Sequence, residues 1–243
     1  MKIKRLYSKK FSINPHKIRK IKFIIIHYTG MQSKRVSVIR LLNVKHKVSC
    51  HYLIDRTGKI IKMVNDKDIA WHAGKSRWKN FNNLNTNSIG IELVNRGHKF
   101  GYQSFPKAQI KTLNNLILTL KRKYKIKNNC ILGHSDIAPL RKLDPGEKFP
   151  WSDLKIKEIK TWFFNIENKL SELNLLEKNK FRKLFFQNIY KIGYRYFNKN
   201  KKSKSDRLVV KAFQRRFLRK NVNGLIDKKT LRISHYLANQ DKI

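Results

Sequence analysis

The segment IKFIIIHYTG, Ile21 to Gly30, constrains the fold more than any other. Phe23-Ile24-Ile25-Ile26 is a continuous apolar run rich in β-branched residues, which reads as a buried strand, and Thr29-Gly30 is the turn that ends it. The run is too short to cross a membrane or to form the apolar part of a signal peptide. A strand of this kind has to be covered, so the rest of the chain must supply a sheet and layers around it.

The following segments do so. SVIRLLNV is a short helical stretch, and HYLIDRTGKIIKMV carries two apolar or alternating runs around Arg56-Thr57-Gly58, the composition of a hairpin. SIGIELV is a further strand. Ile110, Leu113, Leu116, Ile117 and Leu120 recur at helical spacing and predict an amphipathic helix. NCILGHSDI reads as a strand running into a loop, and APLRKLDPGEKFPW, with its prolines and Gly146, as loop. The expected fold class is α/β, a central mixed β-sheet flanked by helices over residues 21–164, after a basic segment 1–20. A polar connector, 165–178, leads to residues 179–243. There FRKLFFQNIYKIGYRY, DRLVVKAFQRRFL and KKTLRISHYL are three amphipathic helical patterns, expected to form a small three-helix domain and not an extension of the first core.

Charge is extreme, 57 Lys+Arg against 15 Asp+Glu, or +42. Such a field attracts polyanions in general. The basic residues are nevertheless spread from end to end, mostly as Lys among Asn and Ile, with no stretch that concentrates them between aromatics. They read as a compositional bias, and no specific nucleic acid partner is expected. Cys50 and Cys130 are the two cysteines and neither lies in a CxxC pair, so no disulfide framework is indicated. The start, MKIKRLYSKKFSINPHKIRK, has the charge of a signal-peptide n-region without an apolar region behind it. No transmembrane segment is expected, and oligomeric state is not readable.

Of eight histidines, His16, His46, His98 and His235 sit in polar surroundings and read as solvated. His27 stands at the carboxyl end of the buried strand, and His134 follows the apolar strand CILG; Asp144 lies ten positions beyond it. Two imidazoles and a carboxylate suit a catalytic zinc ion that keeps one position open. Such a site also needs a base and a cation for a developing oxyanion. Glu92, an acid within an apolar strand, is the candidate base, although periodicity alone favours an outward-facing residue. Lys142 is the candidate cation, and spacing alone does not single it out among so many lysines. From the residues by themselves, the metal site is one of several that could be drawn.

The strings IIIHYTGM, KVSCHYLIDRTGKI, AWHAGKSRW, NSIGIELVN, HKFGYQSFP and LGHSDIAPLRKLDPGEKFPW resemble, in order from about Ile21 to Trp151, the type 2 N-acetylmuramoyl-L-alanine amidases. These zinc enzymes are related to peptidoglycan recognition proteins and T7-type lysozyme. The resemblance implies one Zn2+ held by His27, His134 and Asp144, Glu92 as general base, and Lys142 stabilising the transition state. It implies a peptidoglycan or muropeptide substrate, cut between the lactyl group of N-acetylmuramic acid and L-alanine. The alternative is a peptidoglycan-binding protein without catalysis; relatives of that kind typically lose a zinc ligand, and all five positions are filled here.

Three further residues are candidates for contact with substrate. Cys50 precedes His51 where many relatives carry Ala, and its other reading is a small buried residue. His72 lies in the AWHAG string; together with His51 and Trp71 it is also readable as shaping the groove and packing the hairpin. Asn95 is an amide at a strand end. At the C-terminus, AFQRRF followed by VNGLIDKKTL resembles a three-helix peptidoglycan-binding domain, matched at Phe213, Gln214, Phe217, Gly224, Asp227, Thr230 and Leu231. Lack of an export signal favours the cytoplasm and recycled anhydro-muropeptides; wall binding favours the periplasm or cell envelope and polymeric peptidoglycan.

Overall fold

The computed structural model describes residues 3–6, 11–12, 19–154 and 178–239. The connector expected at 165–178 therefore lies almost wholly outside the described residues. The central sheet has six strands, β1 (Ile3–Arg5), β3 (Phe23–Tyr28), β4 (Tyr52–Ile54), β5 (Ile60–Lys62), β9 (Ser88–Leu93) and β10 (Ile131–Gly133). Their order is β1-β5-β4-β9-β3-β10, and only the β4–β5 hairpin is antiparallel, so the sheet is mixed. Short antiparallel pairs lie outside it: β2 (Phe11–Ser12) with β6 (Ile69–Ala70), and β7 (Arg77–Trp78) with β8 (Phe81–Asn82).

Alternation along β3 divides the molecule into layers. Ile24 and Ile26, with Ile89 and Ile91 of β9, pack under Leu113, Leu116 and Ile117 of helix α2 (Lys107–Tyr124). Phe23 and Ile25, with Leu132 of β10, point the other way and join a second apolar cluster. A third cluster, around Leu41 of helix α1 (Lys34–Leu42), Leu53 and Met63, closes the hairpin side.

After β10 the chain forms one short helix, α3 (His134–Ile137), where the sequence reads as loop. Asp136 explains it, because its side chain turns back to accept the Gly133 N–H at 2.8 Å. The three C-terminal helices occur as expected: α4 (Lys178–Ile192), α5 (Asp206–Phe217) and α6 (Lys228–Ala238). They do not pack among themselves alone, as a domain separate from the first core would. Phe181, Phe185, Phe186 and Phe213 share one buried cluster with Phe23, Ile25 and Leu132 of the sheet. The physical reason is that the sheet face opposite α2 is apolar and needs a cover, which these helices supply.

Candidate metal centre

His27 continues the Phe23-Ile25 face of β3, one rung above the cluster shared with the C-terminal helices. β10 runs parallel beside β3, so His134, the residue after that strand, arrives at the same height. Asp144 is brought in by the loop that follows α3, whose backbone carbonyl accepts the Ser135 N–H at 2.8 Å. Gly133 permits the approach, since a Cβ there would stand 2.7 Å from Pro145 Cδ.

The three side chains meet. His27 Nδ1 lies 3.0 Å from His134 Nδ1 and 2.9 Å from Asp144 Oδ2, and His134 Nδ1 lies 3.1 Å from the same oxygen. Among the described residues they are the group of His, Cys, Asp or Glu that could hold a metal ion, and all three are buried. The hydrogen-bond network assigns the tautomers. His134 Nε2–H donates to the Ala73 carbonyl at 3.1 Å, which leaves Nδ1 bare and facing the bare side of His27. Two unprotonated ring nitrogens and a carboxylate oxygen pointed at one spot repel one another unless a cation sits between them. Tetrahedral bonds of about 2.0–2.1 Å would set neighbouring donors about 3.3 Å apart, close to what is seen, so the donor set fits a metal of zinc's size.

The electrostatics agree. Burial, then the neighbouring His134 and Lys142, lower the His27 pKa to about 4, so the ring is neutral and able to ligate. Burial would raise Asp144, but in the metal-free chain His134 and His27 outweigh it through charge and hydrogen bonds that need a ring proton, the place a bound cation takes over once both Nδ1 atoms are bare. Glu92 is paired with His27 across the β3–β9 ladder and therefore shares its face of the sheet. It is buried, and its Oε2 has no hydrogen-bond partner. Burial and the charge of Asp144 raise its pKa to about 8, with Lys142 opposing. The outward-facing reading of Glu92 is thus not what the fold adopts. Lys142 is half-buried on the Asp144 loop, close enough for its charge to act on both His27 and Glu92.

The three residues considered for substrate contact are placed otherwise. Cys50 is fully buried with its thiol 3.8 Å from Met63 Sδ, and burial raises its pKa well above the ordinary thiol value. It offers no surface to a ligand and is the small buried residue of the other reading. Asn95 is buried and fully engaged, its amide donating to the Gln103 carbonyl and its oxygen accepting from Gly97 and Gln103. It fixes a loop. His72 is buried behind His27: its Nδ1 lies 3.0 Å from His27 Nε2, and its Nε2 lies 3.2 Å from Ser88 Oγ. With His27 Nδ1 free for a metal, the chain has one consistent direction, His27 Nε2–H to His72, His72 Nε2–H to Ser88, and the Ser88 hydroxyl to the Leu84 carbonyl. His72 therefore orients the His27 ring, and both of its own ring nitrogens are engaged.

Sequence reasoning missed that chain, although one signal for it was present. Gly90 interrupts an apolar strand, as glycine does where something approaches the backbone closely. Here a Cβ would collide with the His72 ring. Asn85 sets the loop by accepting the N–H groups of His72 and Ala73 at 3.1 and 2.7 Å. His98, read as solvated, is exposed, and it also bridges the Tyr28 hydroxyl at 2.8 Å and the Glu147 carboxylate at 3.1 Å.

A family model described as N-acetylmuramoyl-L-alanine amidase matches residues 17–147, more than half of the chain. The chain belongs to the type 2 N-acetylmuramoyl-L-alanine amidase family. It is 39% identical over 155 residues to N-acetylmuramoyl-L-alanine amidase AmiD of Escherichia coli, covering 59% of this chain and 55% of that protein. It is 42% identical over 106 residues to 1,6-anhydro-N-acetylmuramyl-L-alanine amidase AmpD of Haemophilus influenzae, covering 43% of this chain and 55% of the relative. The chain thus spans about half the length of the curated relatives it matches. The solved structure of E. coli AmiD, in complex with anhydro-N-acetylmuramic acid-L-Ala-D-gamma-Glu-L-Lys, superposes with TM-score 0.77 at 30% identity, covering 92% of this chain and 90% of that one. AmpDh3 of Pseudomonas aeruginosa, in complex with anhydromuramic pentapeptide, superposes with TM-score 0.76 at 27% identity over 98% of both chains. The amidase fold, a mixed sheet flanked by helices with a helical C-terminal region, is common to them. Among the described residues no helix is long and apolar enough to cross a membrane.

Proposed function

We propose that this chain is a zinc-dependent amidase that hydrolyses the bond between the lactyl group of N-acetylmuramic acid and L-alanine, acting on muropeptides that include the 1,6-anhydro form. One observation carries the reading: three buried donors converge on a point beside Glu92, a buried carboxyl group with an unpartnered oxygen. A pure binding site has no need of a carboxyl group held in that state. The anhydro-muramyl ligands named for the AmiD and AmpDh3 complexes support the substrate class.

His27, His134 and Asp144 would hold the ion, which when bound supplies Lewis acidity and a lowered pKa for water. Glu92, whose Oε2 has no hydrogen bond to give up and whose pKa, about 8 in the metal-free chain, a bound cation beside it would lower to leave it ionised, accepts the proton of the attacking water and returns it to the departing L-alanine nitrogen. Lys142 places positive charge where the carbonyl oxygen becomes an oxyanion. His72 keeps the His27 ring in the tautomer whose Nδ1 faces the donors. The test is mass spectrometry of an anhydro-N-acetylmuramyl tetrapeptide incubated with zinc-loaded protein, with and without a chelator. The expected products are the free sugar acid and a peptide with an amino-terminal alanine, lost on chelation and retained as salt rises. Intact substrate in the presence of zinc refutes the proposal.

A further inference from the structure

The two loops that present His134 and Asp144 are both gripped by the end of one helix of the C-terminal unit. Arg216, at the end of α5, is buried; its Nη1 donates to Asp136 Oδ2 at 2.5 Å and its Nη2 to the Ile131 carbonyl at 2.9 Å. Asp136 is itself buried two residues after His134, and Tyr194, which follows α4, donates to its Oδ1 at 2.6 Å. Its Oδ2 also accepts the N–H of Gly133, the residue before His134. On the other loop, the guanidinium of Arg216 covers the Trp151 ring at 4.4 Å, and Arg219 Nη1 donates to the Phe149 carbonyl at 2.9 Å. Arg215 stands beside Glu147, three residues after Asp144, with 3.9 Å between Nε and Oε2.

We propose that the end of α5 braces the metal centre. Arg216 and Tyr194 are positioning residues that hold Asp136 and so fix the turn presenting His134, while Arg219 and Arg215 hold the loop presenting Asp144. The argument is electrostatic. A buried carboxylate that loses its cation cannot stay where it is at the same cost, because its remaining partners do not replace water. Asp136 relieves that loss by moving toward solvent, and α3 moves with it. His134 is the first residue of α3, so its Nδ1 leaves the point shared with His27 and Asp144. The C-terminal helices are in this view part of the catalytic unit, a role that the resemblance of their AFQRRF motif to a wall-binding domain does not include. Gln214 of that motif bonds within the helical unit, to Asn223, Leu225 and Thr230, whereas Arg216 reaches the strand and turn that lead into His134.

This rests on reading His27, His134 and Asp144 as a metal site, and the experiment separates the two. The full chain and its Arg216→Met, Arg216→Lys and Tyr194→Phe variants are titrated with zinc against a chelator of known affinity. Each is also loaded with Co2+ to record its d–d absorption spectrum, and circular dichroism of the metal-free proteins checks folding. Arg216→Met is expected to weaken zinc binding about 10- to 100-fold and to alter the Co2+ spectrum, with Arg216→Lys intermediate. Leu231→Ala, which opens the same apolar cluster but removes none of the hydrogen bonds to Asp136, should lower the melting temperature and leave the zinc affinity and spectrum unchanged. Wild-type affinity and spectrum in folded Arg216→Met overturn the brace. If that variant does not fold, Tyr194→Phe decides, since it removes one hydrogen bond and keeps the ring: a severalfold loss supports the brace and wild-type values overturn it. A wild-type chain that binds neither metal overturns the metal site itself.

Discussion

Replacing Glu92 with Gln should move activity and stability in opposite directions. Glutamine keeps the shape but cannot take a proton, so the loss of general-base catalysis should lower kcat about 10²- to 10⁴-fold. Stability follows from the raised pKa, about 8 in the folded chain against an ordinary 4.5. Between those values the folded metal-free protein keeps a proton on Glu92 that the unfolded chain has released. Wild-type stability therefore falls as pH rises through that window, and above about 8 the full cost of a buried, unpaired carboxylate is present. Converted to free energy, that cost is on the order of 3–5 kcal/mol. Glutamine does not titrate, so metal-free Glu92→Gln should match the wild type near pH 4.5 and exceed it increasingly toward pH 8.5. Urea unfolding of chelator-treated proteins at several pH values measures this, alongside muropeptide turnover of the zinc-loaded forms. Wild-type turnover in Glu92→Gln would refute its role as base. A stability difference that does not change with pH would refute the buried carboxyl argument.

Other consequences are equally direct. A His134→Ala, Asp144→Ala double variant should retain its circular dichroism and hold less than a tenth of the wild-type zinc in elemental analysis; full occupancy would exclude the ligand set. His72→Phe keeps a ring over Gly90 but removes the acceptor for His27 Nε2–H, and zinc affinity by chelator competition should fall about 10- to 100-fold. Acid should destabilise the metal-free chain through its buried histidines. Burial lowers the pKa of His27 to about 4 and of His51 to about 3, so from 6.5 down to those values the unfolded chain binds protons that the folded chain refuses. Stability is then lost as pH falls, by about 1 kcal/mol per pH unit for each such ring, and melting temperatures between pH 7 and 4.5 should show it. A flat profile would contradict the burial of both rings.

Much of the site was legible in one dimension because its donors lie in strings whose residue types are dictated by chemistry. His27 and His134 each follow a strand of apolar residues, and Asp144 sits in a loop marked by Pro145 and Gly146. The roles less open to such reading are those set by neighbours across the sheet. Period-two alternation gives Glu92 a face but not a neighbour; the parallel register of β3 and β9 supplies His27. Cys50, His72 and Asn95 all belong to family-like strings, yet proximity in sequence to a motif says nothing about which side of a ligand a residue occupies.

The sequence by itself determined the α/β class, the three helices at the C-terminus, the candidate donor types and the family, since all of these follow from local periodicity and residue chemistry. Tertiary structure decided that the C-terminal helices share a core with the sheet and that Arg216 meets Asp136 across 80 positions of chain. Such pairings are fixed by long-range packing of apolar faces, which leaves no local trace: in a chain with 57 Lys+Arg, one buried arginine looks like any other until its carboxylate is found.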